Sequence, residues 1–201
     1  MLFRSSKMGP NMPWVNVAVI VGSNRRDSIN RKLARALVKL ADGKLAANFV
    51  QIDDLPMYNQ DLESPLPANV ARFKASVEEA SALLFVSPEH NRSIPAVLKN
   101  AIDWGTRPHG RNSWAGKAVA IIGTSPGTVG TAIAQQHLRH VLGALGTLVM
   151  GGEAYLTFKP ELIDAADAVT DAGTRRFLQS FVEQFAAIAA RLTPTVHATA
   201  A

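Results

Sequence analysis

The 201-residue chain contains no cysteine. This absence excludes disulfides, thiolate metal sites and cysteine nucleophiles, and it is compatible with a reducing cytosol. Aromatic residues are also few, at 6% of the chain, and the basic residues are dispersed with few aromatics among them. We therefore assign the net charge of +5 to a solvated surface with local phosphate sites, and we expect no nucleic-acid partner.

Long apolar runs are absent as well. No run approaches the roughly 18 residues that a membrane-spanning helix needs, and the first 13 residues lack the apolar core of a secretory signal. We expect a cytoplasmic protein with no membrane partner. Hydrophobic residues make up 47% of the chain, which is enough for a substantial core. We predict a flexible N-terminal extension over residues 1–13, a single domain over 14–192 and a disordered tail over 193–201.

Apolar runs of strand length alternate with helical patterns along the chain. The predicted strands are Val15–Val21, Ala46–Asp53, Leu83–Val86, Ala118–Ile122 and Leu148–Met150. Five strands that alternate with five helices predict a parallel sheet covered on both faces, because right-handed crossovers place helices on both sides. We predict an α/β flavodoxin-like three-layer sandwich with a five-stranded parallel sheet in the order 2-1-3-4-5.

Two later segments receive more detailed predictions. The helix after the fourth strand is predicted from the pattern Ile133, Gln136, His137, His140, Val141 and Ala144. Residues 151–170 are predicted to be irregular, and residues 171–192 to form a closing helix. The inward residues of that closing helix are expected to be Phe177, Phe181, Phe185 and Ile188.

The segment after the first predicted strand, residues 22–30, is a polar loop that leads into a helix. It carries neutral donors and cations beside a helix N-terminus, at Ser23, Arg25, Arg26, Ser28 and Asn30. The loop lacks the GxGxxG pattern and the GxxxxGK phosphate-loop pattern, so a terminal monophosphate fits better than a pyrophosphate. The alternative is structural: Asp27 or Ser28 caps the helix, and the arginines are simply exposed.

A second polar loop, residues 87–95, follows the apolar run Leu83–Val86. Pro88 and Pro95 bracket it and fix φ at both ends, so the residues between them are expected to hold one shape. A third loop follows the fourth strand. In the predicted order the loops after strands one, three and four meet at one edge of the sheet, where open α/β sheets bind ligands.

Three segments carry a resemblance to a known family: GSNRRDSINRKL (22–33), PEHNRSIP (88–95) and LKNAIDW (98–104). They resemble the NADPH-dependent FMN reductases, which include flavodoxin-like quinone, chromate and azo-dye reductases. Residues 127–130 and 137–139 are also similar to that family, so the resemblance covers roughly residues 15 to 150. It implies FMN as the cofactor and NADPH or NADH as the co-substrate.

The resemblance also implies positions for the parts of FMN. The residues implied to bind its phosphate end are Ser23, Arg25, Ser28, Ile29 and Asn30. Those implied to border the isoalloxazine ring are Pro88, Glu89, His90 and Asn91, with Ser125 and Gly127 near its other edge. Many relatives have Tyr in place of His90, and Tyr or Gly in place of Arg92. Arg92 either attracts the NAD(P)H phosphates or is a solvated charge at the rim.

The implied activity is that of an NAD(P)H-dependent FMN reductase or quinone reductase. Hydride passes from NAD(P)H to bound FMN, and electrons then pass to a quinone, azo dye, chromate or free flavin in a ping-pong cycle. The cofactors carry this chemistry, so no side chain is predicted to be catalytic. The resemblance also implies a homodimer or homotetramer. Its subunit contacts are expected from Val97–Trp104, Ala132–Leu142, Tyr58–Glu63, Arg139 and Glu153.

Three other interpretations compete. Gly123–Gly127 matches the GxSxG pattern of a serine hydrolase, but Pro126 follows the serine and has no N–H for an oxyanion hole. His137 and His140 are spaced for one helix face, but no carboxylate or cysteine set completes a metal site, so we expect no metal. A non-enzymatic electron carrier of the flavodoxin type is the third, although such carriers surround the ring with acidic and aromatic residues. We also expect three polar residues to lie on a helix surface or at an interface rather than to act in catalysis: Lys99, Asn100 and Asp103.

Overall fold

The computed structural model describes residues 14–193. Its strands are β1 (Val15–Val21), β2 (Leu45–Phe49), β3 (Ala82–Val86), β4 (Ala118–Ser125), β5 (Leu148–Val149) and β6 (Tyr155–Thr157). Its α-helices are α1 (Ile29–Leu40), α2 (Ala68–Glu78), α3 (Ala96–Gly105), α4 (Ala132–Ala144) and α5 (Ala172–Leu192), and a short 3-10 helix covers Gln60–Leu62. The predicted N-terminal extension lies outside the described residues, as does the predicted tail except for Thr193, which follows α5.

The five principal strands are parallel and follow the order β2-β1-β3-β4-β5, which confirms the predicted flavodoxin-like arrangement. Val21 lies opposite Val86, and Val86 lies opposite Ile122, so the carboxyl ends of β1, β3 and β4 adjoin at one edge. The prediction that residues 151–170 are irregular was wrong over Tyr155–Thr157. These residues pair in parallel with the end of β4 and extend that strand beyond its predicted end at Ile122.

Alternate side chains of β1 enter two different cores. Val17 and Val19 pack in the core that holds the buried faces of α1 and α5. Ala18 and Ile20 pack in the core on the other face, with α2, α3 and α4. Because both faces are covered, the central strands are mostly apolar, as is typical of parallel sheets. Within the described residues, no helix is both long enough and apolar enough to cross a membrane.

Two helices differ from their predicted orientation. The face of α4 that packs on the sheet consists of Ala134, Gln135, Leu138 and Leu142. Of the residues in the predicted pattern, Ile133 is instead 39% exposed. In α5, Phe181 and Phe185 are buried as predicted, whereas Phe177 is 44% exposed. Both helices carry apolar residues on more than one face, so spacing alone does not determine which face is buried.

The three polar residues of α3 have different roles. Lys99 and Asp103 form an exposed ion pair at 2.7 Å, as expected for a helix surface. Asn100 is buried within the chain, so the helix-surface half of its expectation was wrong. Its Oδ1 accepts the N–H of Tyr58 at 2.8 Å and its Nδ2 donates to the carbonyl of Pro56 at 2.9 Å. Asn100 therefore fixes the connection between β2 and α2 against α3.

Candidate cofactor-binding site

Ser87 follows β3 directly and lies between the ends of β1 and β4, the two strands that flank β3. The N–H of Gly22 donates to the carbonyl of Val86 at 2.9 Å, and the N–H of Ser87 donates to that of Ile122 at 3.0 Å. A methyl group on Gly22 would collide with the Ser87 hydroxyl, and one on Gly123 would collide with the Ser87 carbonyl oxygen. Glycine at both positions therefore lets the strand ends approach closely, and the three polar loops start side by side.

The side chain of Asn30 fastens α1 to β4. Its Nδ2 donates to the carbonyl of Thr124 and its Oδ1 accepts the Thr124 N–H, both at 2.9 Å. Both residues are buried. The amide thus already has a protein partner at each end, and its implied contact with a phosphate stays a prediction.

The start of α1 has open hydrogen-bond donors. Ser28 caps the helix by accepting the Arg31 N–H at 3.2 Å, as one part of the structural alternative predicted, while its hydroxyl proton can still be donated. Within residues 14–193, no acceptor is found for the backbone N–H groups of Ile29 and Asn30. No acidic residue lies in the first turn of this helix. The arrangement fits an anion, because these N–H groups lie at the positive end of the helix dipole.

The loop before α1 adds positive charge to this helix end. Arg25, Arg26 and Asp27 are exposed, and no salt bridge is formed by any of them within the described part of the chain. The N–H of Arg25 donates to the hydroxyl of Ser23 at 3.4 Å. Two cations against one carboxylate leave the loop positive. The donor set is therefore suited to the phosphate of FMN, which can accept several charge-assisted hydrogen bonds.

The loop after β3 makes a tight turn. The N–H of His90 donates to the carbonyl of Ser93 at 3.1 Å, and the N–H of Ser93 donates to that of His90 at 2.9 Å. The two central residues, Asn91 and Arg92, have φ of 48° and 62°. Two consecutive positive φ values are typical of a type I′ turn, which favours Asn first and Gly second. Arg92 therefore occupies a strained position at the tip of an otherwise well-bonded loop.

The carboxylate of Glu89 connects this loop to α4. Its Oε2 accepts the backbone N–H groups of Ile133 and Ala134 at 3.0 and 3.1 Å, and its Oε1 accepts from Arg92 Nη1 at 3.1 Å. The N-terminus of α4 is thus occupied by a carboxylate of the chain itself, whereas that of α1 is open. Arg92 remains 67% exposed, and its implied contact with NAD(P)H stays a prediction.

Ser125 is the last residue of β4. Its hydroxyl donates to the carbonyl of Gly127 at 3.2 Å, and its own carbonyl accepts the Phe158 N–H at 2.8 Å. A serine nucleophile is normally hydrogen-bonded to a base such as histidine. Within residues 14–193, Ser125 has no hydrogen bond to a histidine. This geometry does not support the serine-hydrolase alternative.

His137 of α4 faces the loop after β3. Its Nδ1 lies 3.1 Å from the hydroxyl of Ser93. A cavity of about 270 Å³ opens beside this contact, and its lining residues are Ser93, Ile94, Lys99, His137, His140 and Val141. Over the described range 14–193, no group of three or more His, Asp or Glu residues is arranged to hold a metal ion. The contact is a second link between the loop and α4.

The predicted site residues therefore fall into three groups at adjoining strand ends. At the start of α1 lie Ser23, Arg25, Ser28, Ile29 and Asn30; after β3 lie Pro88, Glu89, His90, Asn91 and Arg92; at the end of β4 lie Ser125 and Gly127. Sequence reasoning missed the residues that join these groups, namely Gly22, Ser87, Gly123 and Thr124. The sequence gives one signal for these residues, which is a pair of glycines. One follows the apolar run of β1 directly, and the other lies within the apolar run of β4.

Comparisons with known proteins identify the family of the chain. The sequence profile of the NADPH-dependent FMN reductase family matches residues 15–161. A 2-hydroxy-1,4-benzoquinone reductase from a Burkholderia species is 47% identical over 174 residues, which cover 86% of this chain and 95% of that protein. A quinone reductase from Pseudomonas putida is 46% identical over 173 residues, which cover 85% of this chain and 92% of that protein.

A solved structure is similarly close. The flavoenzyme NAD(P)H:(acceptor) oxidoreductase from Paracoccus denitrificans superposes with a TM-score of 0.86 at 48% sequence identity, covering 88% of this chain and 98% of that one. The family match spans the three polar loops and the strands that carry them. The chain therefore belongs to the NADPH-dependent FMN reductase family, and it is an oxidoreductase that uses FMN as cofactor with NAD(P)H.

Proposed function

We propose that this enzyme catalyses the two-electron oxidation of NAD(P)H by a quinone in a ping-pong cycle, giving NAD(P)+ and the hydroquinone with one proton taken up from water. FMN, when bound, would supply the redox chemistry that links the two half-reactions. The observation that carries the proposal is the open N-terminus of α1 beside two unpaired arginines of the described chain. The names of the two relatives, a hydroxybenzoquinone reductase and a quinone reductase, support a quinone as the acceptor. Azo dyes, chromate and free flavin are further candidate acceptors.

The first loop holds the phosphate end of the cofactor in this proposal. The N–H groups of Ile29 and Asn30 donate along the helix axis, and Arg25 and Ser23 donate from the loop. Arg26 lies beside them and adds positive charge. These groups are fixed to the backbone or lie at a loop anchored by Ser28, so little rearrangement is needed on binding.

The loop after β3 would hold the ring end of the cofactor. The backbone from Pro88 to Asn91, whose shape is held by the tight turn, would border the ring. Ser125 and Gly127 would border its opposite edge from the end of β4. Arg92 stands exposed at the rim, where it attracts the phosphates of the entering NAD(P)H. These residues bind and orient, and none of them exchanges a proton with the substrate.

The first experiment is an anaerobic absorbance titration. The purified protein, saturated with FMN, is mixed with NADPH and then with 1,4-benzoquinone. Bleaching of the flavin band by NADPH, followed by its return with the quinone, supports both half-reactions. A bound flavin that NADPH does not bleach without a separate reductase indicates an electron carrier instead. In steady state, parallel double-reciprocal lines for NADPH at several quinone concentrations support the ping-pong order.

The family resemblance also leads us to propose a homodimer or homotetramer, formed in part by α4. Three large apolar side chains near its N-terminus, Val129, Ile133 and Tyr155, are between 38% and 40% exposed. Arg139 and Glu153, expected at subunit contacts, already bond within the chain, to the Met150 carbonyl and to the Gln136 amide. Their contacts between subunits stay a prediction, as do those of Tyr58–Glu63.

Sedimentation velocity tests the assembly. The substitution Ile133→Arg places a charge among these exposed apolar side chains, and Gln184→Arg adds the same charge to the exposed face of α5. We expect a smaller sedimenting species for the first variant alone. A wild-type monomer that retains FMN would contradict the proposal. We also propose a cytoplasmic location, in keeping with the absence of cysteine, and cell fractionation tests it.

A further inference from the structure

The first turn of α4 receives its cap from a distant loop. Thr131, which precedes the helix, has φ of 69° and makes no side-chain capping bond. Its Oγ1 accepts instead from Gln135 Nε2 at 3.0 Å. Glu89, 44 residues earlier in the chain, supplies the missing acceptor for Ile133 and Ala134. Because a helix N-terminus leaves four N–H groups unbonded and favours negative charge, this carboxylate suits the position in both respects.

The same carboxylate holds the turn that follows it. Its second oxygen accepts from Arg92, whose φ of 62° is unfavourable for a residue with a side chain. Asn91, the other central residue, also has a positive φ. The side chain of Glu89 is only 9% exposed, so water screens its interactions less than those of a surface ion pair. One buried group therefore stabilises both the turn and the helix.

We infer that Glu89 is a positioning residue of the cofactor site: by joining the loop after β3 to the N-terminus of α4, its carboxylate fixes the backbone that borders the flavin ring. The inference rests on the proposed function. His90 and Asn91 lie between Glu89 and its partner Arg92, so the segment implied to face the ring is held at both ends by one side chain. The Ser93–His137 contact, at 3.1 Å, adds a second and more exposed link.

Loss of the Glu89 carboxylate is predicted to change the affinity for FMN more than the chemistry of the bound cofactor. Without the carboxylate, the strained turn is no longer held and the ring-bordering segment samples several conformations. FMN must then order this segment when it binds, so affinity falls while the chemistry of the bound cofactor changes little. A purely structural cap would lower stability and leave FMN affinity unaltered.

The experiment measures FMN binding to the apoprotein by quenching of flavin fluorescence, together with apoprotein melting. The variants are Glu89→Ala and Glu89→Gln, and the matched control is Asp171→Ala. Asp171 caps α5 through a 2.6 Å bond from the Thr174 N–H and has no described hydrogen bond to the three loops. We expect a rise of about tenfold in the FMN dissociation constant for Glu89→Ala, through the loss of charge-assisted hydrogen bonds. The glutamine variant, which keeps one acceptor oxygen, is expected to recover part of the affinity.

Each outcome decides one question. If wild-type protein does not bind FMN, the proposed function fails. If wild type binds and both Glu89 variants bind as tightly, the positioning role fails. Equal weakening by Asp171→Ala at a similar loss of melting temperature would also overturn it, because general destabilisation would then explain the effect. If the alanine variant does not fold, the glutamine variant alone decides the question by the same comparison.

Discussion

The side-chain amide of Asn30 and the backbone of Thr124 exchange two hydrogen bonds of 2.9 Å across 94 residues of sequence. This pair joins the start of α1 to the end of β4 inside the protein, where water does not replace a lost partner. Its geometry makes the relative position of the first and third loops depend on one side chain.

We predict that Asn30→Ala lowers the free energy of unfolding by about 2–4 kcal/mol, because it leaves a buried N–H and a buried carbonyl unbonded. Urea unfolding of the apoprotein measures this loss. The control is Asn16→Ala, which removes one exposed hydrogen bond, from Asn16 Nδ2 to the Glu79 carbonyl. It is expected to cost less than about 1 kcal/mol. Equal losses in the two variants would refute the prediction.

Gly123 is predicted to resist replacement. The substitution Gly123→Ala places a methyl group against the carbonyl oxygen of Ser87 and should destabilise by about 3 kcal/mol, since backbone must shift to accommodate it. Gly143, in the last turn of α4, has nothing within 4 Å of the added methyl. There the substitution to alanine is expected to stabilise by roughly 0.5–1 kcal/mol. Thermal unfolding that ranks the two in the opposite order would show that the close approach is not rigid.

The arginines of the first loop are predicted to recognise the phosphate rather than the ring. The double variant Arg25→Ala with Arg26→Ala should weaken FMN binding by about tenfold, because it loses charge-assisted interactions with the phosphate. Binding of riboflavin, which lacks that phosphate, should change little. The double variant Arg175→Ala with Arg176→Ala, on the exposed start of α5, removes the same two charges and serves as the control for net charge. Equal weakening of FMN and riboflavin would place the arginines elsewhere in the site.

Acid should remove the contribution of Asp171 to stability. Hydrogen bonds from Thr174 hold the pKa of this carboxyl below its ordinary 3.8. A carboxyl with a lower pKa in the folded state stabilises the protein above its unfolded pKa, and this contribution is lost as the pH falls through the folded pKa. We expect the stability difference between wild type and Asp171→Asn to shrink as the pH falls below 3.8. Urea unfolding at a series of pH values measures it, and a difference independent of pH would contradict the assignment.

The local part of the fold was predictable from the sequence. The strand Val15–Val21 was predicted at its observed bounds, because a run rich in β-branched residues ends at a glycine. The sheet order followed from the alternation of strands and helices. The strand β6 was missed because its three residues lie between Gly151–Gly152 and Pro160, a setting typical of a loop.

The contacts that connect the three loops of the candidate site could not be predicted from neighbouring residues in the sequence. The sequence predicted Glu89 only as a loop residue near the ring. None of the residues beside it in the sequence indicates that it caps a helix 44 residues later. Asn30 was predicted to donate to a phosphate, because its actual partner, Thr124, lies in a distant segment of the chain and could not be recognised from the sequence. Both roles depend on which strands adjoin, so they emerge once the sheet has formed.

The N-termini of α1 and α4, which both follow loops of the candidate site, differ in whether their N–H groups are bonded. The N-terminal amides of α4 are already satisfied by Glu89, whereas those of Ile29 and Asn30 on α1 have no acceptor within the described chain. We therefore expect a ligand of the candidate site that has one anionic end to place that end at α1. On this view, electrostatics determines the orientation of the ligand, and the shape of the loops determines which ligand binds.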